Sequence, residues 1–321
     1  MKNKVLIIGA GQLGSRHLQG VLLSKNILQV TVVDPSHESL SISKERAAQV
    51  EIGNANTSVT YQKHIPENEF IDVCIIATAA HVRAKVTQQL LETNRVNHII
   101  FEKVLFQKLE DYAAIKFLLK DRNVRGWVNC PRRLFPAYQD LKSCLNLNES
   151  VDMTVTGNAW GMACNSIHFI DLFAFLVGNA ELQVNRVELD SALIESKRAG
   201  NYEVTGTLEF SVGNNFLKIV CEQEQDCRLE VKIENGSSIH LINEIEKSWL
   251  YNKAGDCERR PYASLLQSQL TGIVVTDLIA SGQCQLTPLS ESSSIHIPFV
   301  SVVLEHISSQ LGVQLDACPI T

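Results

Sequence analysis

The sequence predicts an α/β chain: a doubly wound parallel sheet in the first 128 residues, then an α+β half with a mostly antiparallel, open sheet. Three observations predict it. Short continuous apolar runs alternate with helix-period segments up to Val128. A glycine-rich turn follows the first of those runs. After Pro131 the alternation gives way to period-two segments joined by hairpin-type connections. Strands covered on both faces read as continuous apolar runs, and regular strand–helix alternation builds right-handed parallel sheets.

Val5–Ile8 is the first strand, and His17, Leu18, Val21 and Leu22 recur at helical spacing after it. Val30–Val33 is the second β-branched run, followed by a weakly amphipathic helix over Glu38–Gln49. Val59–Gln62 and Ile71–Ala77 supply two more strands, and Val82, Val86 and Leu90 mark a helix at i, i+4 and i+8. His98–Phe101 is a fifth strand, Leu109–Lys120 a helix carrying Tyr112, Ile115 and Leu119, and Val124–Val128 closes the series. A helix over Phe135–Leu145 then begins with Pro136 in its first turn, where the missing N–H has no intrahelical partner to lose. Val151–Val155 alternates as a strand, and a helix over Ser166–Val177 stops at Gly178. Val204–Val212, Asn215–Glu222, Cys227–Ile233 and Ser238–Ile242 are separated by Gly-Asn-Asn, Gln-Glu-Gln-Asp and Asn-Gly-Ser, which are hairpin connections. Helices near Tyr262–Ala280 and Ile297–Leu311 finish the pattern. One boundary is expected near residue 128, dividing the chain into domains 1–128 and 129–321.

Composition narrows the function. Against 29 Lys and Arg stand 35 Asp and Glu, a net charge of −6. Without a long basic run, nucleic acid and anionic membrane are not the expected partners. No apolar run approaches the ~18–20 residues of a membrane helix, and the four apolar residues after Lys4 are too few for a secretory h-region. The nine cysteines are odd in number and lack a C-x-x-C pair. They read as reduced thiols, so a cytoplasmic location is expected, and no Cys/His cluster suggests a metal site.

Gly9-Ala10-Gly11-Gln12-Leu13-Gly14 is G-x-G-x-x-G, placed after a strand and at the opening of a helix. The first glycine permits the tight turn, the second lets backbone approach a pyrophosphate, and the third lets helix and strand pack closely. The N–H groups of the helix start would face the phosphates. Asp34 ends the second strand, twenty residues after Gly14. A carboxylate there accepts from ribose hydroxyls and repels a 2′-phosphate, and no arginine follows it immediately, so NAD is expected before NADP. The same aspartate also suits a turn before Pro35. Thr78, after the fourth strand, lies at the sheet edge a cofactor would cross.

Several further motifs carry a resemblance. Phe101-Glu102-Lys103 resembles an E-K-P signature, with Val104 in place of the proline. His17 stands three residues after Gly14, and Thr78-Ala79-Ala80 occupies the place of T-P-N. Gly126-Trp127-Val128-Asn129, Arg132-Arg133-Leu134 and Pro136-Ala137-Tyr138 resemble G-F-N-R-R-F-x-P-A-Y. Ser166–Leu172 resembles G-x-H-x-I-D-L. In this order the set resembles the glucose–fructose oxidoreductase / inositol dehydrogenase / rhizopine catabolism (Gfo/Idh/MocA) family. The resemblance implies an NAD(P)-dependent oxidoreductase of sugars, sugar derivatives or cyclic polyols, working as a homodimer or homotetramer. The nucleotide would lie along Gly9–Gly14, Asp34, Thr78, Glu102 and Lys103.

The resemblance also implies that Lys103 and His168 are catalytic. An ammonium at Lys103 would hydrogen-bond the reacting oxygen, and an imidazole at His168, with an ordinary pKa of about 6.5, would take the hydroxyl proton. Asn129, Arg132, Arg133, Trp160, Cys164 and Asn165 are the expected substrate contacts, although ion pairing suits the arginines equally and a core position suits the tryptophan. One departure stands out: Cys164 occupies the place where many relatives carry an aspartate, and neither it nor Asn165 is an ordinary general base. Asp171 is expected to serve structure or to orient its neighbour. Two alternatives accompany this reading: a non-catalytic NAD- or sugar-binding regulator of the same fold, and a redox-neutral enzyme that recycles its NAD.

Overall fold

In a computed structural model describing residues 2–223 and 229–321, the apolar runs of the first half form one twisted sheet. Its elements are β1 (Asn3–Ile8), α1 (Gln12–Leu22), β2 (Leu28–Val33), α2 (His37–Ala47), β3 (Ser58–Gln62), β4 (Phe70–Ile76), α3 (Ala80–Thr93), β5 (Arg95–Phe101), α4 (Leu109–Asp121) and β6 (Arg125–Val128). The strands pair in parallel in the order β6-β5-β4-β1-β2-β3. Val5 sits in register with Val30 and Val73, so the centre of β1 is buried between two β-branched neighbours. The order reverses direction at β1, with β2 on one side and β4 on the other. Ligands of open α/β sheets lie at the carboxyl ends of strands at such a switch point.

The remaining elements are a 3₁₀ turn at Pro131–Leu134, α5 (Pro136–Cys144), β7 (Val151–Asn158), α6 (Met162–Val177), β8 (Gln183–Leu189), β9 (Ile194–Glu195), β10 (Tyr202–Glu203), β11 (Gly206–Val212), β12 (Asn215–Glu222), β13 (Glu230–Asn235), β14 (Ser238–Asn243), β15 (Ser248–Lys253), β16 (Asp256–Pro261), α7 (Gln267–Ser281), β17 (Thr287–Pro288) and α8 (Leu289–Leu311). Eight strands form the second sheet, in the order β16-β15-β14-β13-β7-β12-β11-β8. All its pairs are antiparallel except β7 with β12, which run parallel. On β7 every second residue is buried, from Val151 to Gly157. That alternation is the mark of a sheet covered on one face. The expected strand over Cys227–Ile233 is observed from Glu230. Its start and most of the Gln-Glu-Gln-Asp connection lie outside the described residues.

The chain divides into two compact units, and it does not cross between them only once near residue 128. The first unit holds the chain up to Phe106, Glu110–Pro131 and Leu265–Ser290; the second holds Gln107–Leu109, Arg132–Ser264 and Glu291–Thr321. The return at Leu265 brings α7 onto α1. There Gly20 and Gly272 meet: a Cβ on Gly272 would lie 2.3 Å from the Gly20 carbonyl oxygen, so only glycine allows this helix spacing. β17 then adds an antiparallel edge beside β6. Among the described residues no helix is long and apolar enough to cross a membrane.

Candidate functional site

The glycine turn follows β1 at the switch point, and each glycine there has a different neighbour. Gly9 has φ +98°, and a Cβ on it would stand 2.8 Å from the backbone of Ala77. A Cβ on Gly14 would lie 1.7 Å from the Gly9 carbonyl oxygen, so this glycine lets α1 seat against the strand end. Gly11 has nothing within 4 Å of the same position. Gly11, Gln12 and Leu13 are exposed, and no side chain caps the start of α1. Open space beside a second glycine and an uncapped helix start is the arrangement that receives a pyrophosphate.

Asp34 lies against this turn. Its Oδ2 accepts the Ala10 N–H at 2.8 Å and its Oδ1 accepts the Ser36 N–H at 2.8 Å. The turn role and a ribose role coexist, because an ionised carboxylate has about four acceptor positions. Thr78 follows β4, and its Oγ1 is buried without a hydrogen-bond partner among the described residues. An orphaned hydroxyl, an open glycine and a free helix start fit a dinucleotide. Sequence reasoning missed Arg46, on α2. Its guanidinium donates to the Gln12 carbonyl at 3.2 Å and to Ser15 Oγ at 2.7 Å, bracing the first turn of α1. It stands twelve residues beyond Asp34, and no local pattern marks it.

Glu102 and Lys103 follow β5. Glu102 is buried and faces inward: its Oε1 meets His17 Nε2 at 2.7 Å and accepts from Asn129 Nδ2 at 2.6 Å. Burial alone would raise the Glu102 carboxyl, but hydrogen bonding and charge from His17, backed by Asn129 and Arg83, hold it below the ordinary glutamate range. Asn129 also donates to Gln267 Oε1 at 2.8 Å, and His17 Nδ1 meets Thr271 Oγ1 at 2.9 Å. At these atoms Glu102 and Asn129, expected at the nucleotide and the substrate, belong to a buried network joining α1, β5, β6 and α7. The unforeseen packing of α7 on α1 is the reason. Lys103 is half-buried between Glu102 and the buried Val104, and the Lys103–Val104 peptide is cis. Buried Arg83, on α3, donates to the carbonyls of Val104, Leu105 and Thr78, tying the Lys103 segment to the turn after β4.

This geometry has a counterpart among known proteins. Residues 3–130 match the family described as oxidoreductase family, NAD-binding Rossmann fold (GFO_IDH_MocA). Over these residues the chain is similar to that family's NAD-binding domain. No curated protein matches the chain by sequence. Solved structures share the fold of this chain over nearly its whole length. UDP-N-acetylglucosamine 3-dehydrogenase GnnA from Acidithiobacillus ferrooxidans is similar at TM-score 0.68 and 13% identity, covering 98% of each chain. An oxidoreductase from Agrobacterium radiobacter, in complex with NAD⁺, L-tartaric acid and magnesium, gives 0.68 and 12%, covering 96% of this chain and 97% of that one. KijD10, a 3-ketoreductase from Actinomadura kijaniata in complex with NADP, gives 0.67 and 12%, covering 94% and 96%.

In the second unit α6 begins at Met162, one turn earlier than the sequence suggests. Gly161, at φ +76°, turns the chain into it, and Glu203 Oε2 accepts the N–H groups of Ala163 at 2.8 Å and Cys164 at 3.4 Å. Cys164 and Asn165 therefore sit in the first turn, and Cys164 shares a helix face with His168 at i, i+4. All three are half-buried, whereas Ser166, Ile167 and Phe169–Ala174 are buried. Asn165 Nδ2 donates to the Trp160 carbonyl at 2.9 Å. The Trp160 indole N–H is held by the Val220 carbonyl at 3.0 Å, and its ring meets Phe169 edge-on, which makes it a packing residue on one side.

The two arginines are engaged within the second unit. Arg132 donates from Nε and Nη2 to Glu244 at 2.9 and 2.8 Å and lies over the Phe169 ring. Tyr138 donates to the same glutamate at 2.7 Å. Arg133 forks onto the fully buried Asp171 at 2.9 Å twice and reaches Glu291 at 3.1 Å. Of the two roles the sequence leaves even, ion pairing is the one these atoms show, and Asp171 has the structural role expected of it.

Proposed function

We propose that the protein is an NAD-dependent oxidoreductase acting on an alcohol carbon of a sugar, sugar derivative or cyclic polyol. The carrying observation is the glycine turn of an oxidoreductase-family domain, open at Gly11, flanked by Asp34 and the orphaned Thr78 hydroxyl, at the sheet edge that also bears Lys103. Asp34 supports NAD before NADP, because its carboxylate disfavours a 2′-phosphate. The bound nicotinamide would supply a hydride acceptor or donor for the carbinol carbon. Within this reading the Lys103 ammonium donates to the reacting oxygen and stabilises charge as it builds there. The His168 imidazole takes or returns the hydroxyl proton. The thiol at Cys164 leaves His168 as the proton acceptor on its helix face.

The test follows nicotinamide absorbance while the purified protein is offered sugars, inositols, nucleotide sugars and acidic sugars with NAD or NADP. Turnover of a polyhydroxylated alcohol, faster with NAD, is expected. Tight NAD binding with no hydride exchange across that panel would replace the enzyme reading with the regulatory one.

A further inference from the structure

The first turn of α1 gathers positive charge from two sources. Its amide N–H groups are uncapped by any side chain, and they form the positive end of the helix dipole. Arg46 adds a guanidinium to that same end. Its backbone lies in the last turn of α2, yet its side chain reaches across to α1. Nη1 donates to the Gln12 carbonyl at 3.2 Å and to Ser15 Oγ at 2.7 Å, and Nη2 donates to Gln12 Oε1. All three acceptors are neutral, and among the described residues no carboxylate pairs with this guanidinium. A full positive charge beside a positive helix end is unfavourable by itself, since cations stabilise the opposite end of a helix. One anion relieves both charges. It has room to approach: Gly11 has nothing within 4 Å of an added Cβ, and Gln12 and Leu13 are exposed.

We propose that Arg46 is the cation that receives the pyrophosphate of the bound dinucleotide. This rests on the reading of the glycine turn as a dinucleotide site, and it assigns the charge compensation there to a side chain outside the glycine motif. A guanidinium has more N–H donors than these three bonds engage, so it keeps its hold on α1 and still meets a phosphate oxygen. The target is the pyrophosphate and not a 2′-phosphate, because Arg46 is bonded to the helix turn. Asp34, which ends the strand on the ribose side, is bonded to Ala10 and Ser36 instead.

The test measures binding by the full chain and needs no turnover. Adenosine, ADP-ribose, NAD and NADP are titrated by calorimetry into the parent, Arg46→Gln and Arg46→Lys. ADP-ribose and NAD are expected to bind Arg46→Gln about tenfold more weakly, with adenosine within about twofold. Arg46→Lys keeps the charge without the planar fork and is expected to recover most of the loss. The affinity of the parent for ADP-ribose should also fall more steeply with added salt than that of Arg46→Gln. Unchanged ADP-ribose affinity in Arg46→Gln would overturn the proposal. Equal losses for adenosine and ADP-ribose, or equal losses in Arg46→Gln and Arg46→Lys, would overturn it in favour of a brace on α1. A larger loss for NADP than for NAD would overturn it in favour of a 2′-phosphate contact. A parent protein that binds no ADP-ribose would remove the dinucleotide site itself. One that shows the expected pattern without hydride exchange keeps this inference and loses the oxidoreductase reading alone.

Discussion

Gly11 and Gly14 stand three residues apart and fail for opposite reasons when a methyl group is added. At Gly14 the new Cβ meets the Gly9 carbonyl oxygen at 1.7 Å, so α1 must move away from β1. Gly14→Ala is expected to lower the unfolding midpoint and abolish NAD binding together. At Gly11 the protein offers no obstacle within 4 Å, so the only thing an added Cβ can meet is the ligand. Gly11→Ala is expected to leave the thermal midpoint within about 2 °C of the parent while NAD affinity falls at least about tenfold, as fluorescence titration would read. Equal loss of stability in both variants would remove Gly11 from the nucleotide site. Lys103 gives the complementary case. It is half-buried, and its neighbours Glu102 and Val104 carry the packing. Lys103→Ala is expected to cut turnover by about 100-fold or more with NAD affinity within about threefold, since oxyanion-type stabilisation acts on the reacting oxygen rather than on the nucleotide. Full activity in that variant would take the lysine out of the mechanism.

At the scale of elements, what the sequence made legible follows from how each element is buried. β1, β2, β4 and β5 lie in the middle of a parallel sheet, covered on both faces, so their continuous apolar runs have few other readings. The glycine turn and Asp34 were legible for the same reason: their positions are fixed by the strands they end. The β15–β16 hairpin was not read. Asp256–Pro261 is an edge strand of mostly exposed polar residues, and its turn is made by Ala254 at φ +53° and Gly255 at φ +97°, a pair with no Asn-Gly signal. The parallel pairing of β7 with β12 is long-range, and local connections carry no trace of it. The position of α7 against α1 is likewise decided by a glycine–glycine contact between helices some 250 residues apart, and with it the buried roles of His17, Glu102 and Asn129. α6 shows what holds such an element once it forms. Its Asp171 is fully buried against Arg133. Asp171→Ala leaves a buried guanidinium whose remaining carboxylate partner, among the described residues, is the partly exposed Glu291, and a loss of about 3–5 kcal/mol is expected in urea unfolding. Replacing both partners, as Arg133→Met with Asp171→Leu, is expected to recover most of it, because an apolar pair avoids the desolvation that the ion pair must overcome. Equal losses in the single and double variants would show that the pair is held by more than its own charge balance.

For the molecule as a whole, the two units carry separate acid sensitivities. In the second unit His240 is buried on β14, accepts from the Trp249 indole at 3.2 Å and stacks on Tyr251, over which Arg260 lies. Burial first, then the Arg260 charge, push it down to about 4 from an ordinary histidine value. Between about 6.5 and that lowered value the unfolded chain holds a proton that the folded chain refuses. Stability of the second unit should therefore fall as pH drops through this window, by at most about 1.4 kcal/mol per pH unit from this group. In the first unit Glu102 is held below the ordinary glutamate range. Its contribution is complete above the unfolded value of about 4.3 and is lost progressively as pH falls from there through the lower folded one. Of these two groups the His240 contribution is lost first and the Glu102 contribution later. His98, in the first unit, is also held below the ordinary histidine range, by burial first, and adds to the earlier window. Urea midpoints measured from pH 7 to pH 3 are expected to show a slope above pH 4 that His240→Gln flattens and Glu102→Gln leaves in place. The steeper loss below pH 4 should respond to Glu102→Gln instead. A His240→Gln protein whose stability still falls with the parental slope between pH 6.5 and 4 would show that other groups set the acid limit of that unit.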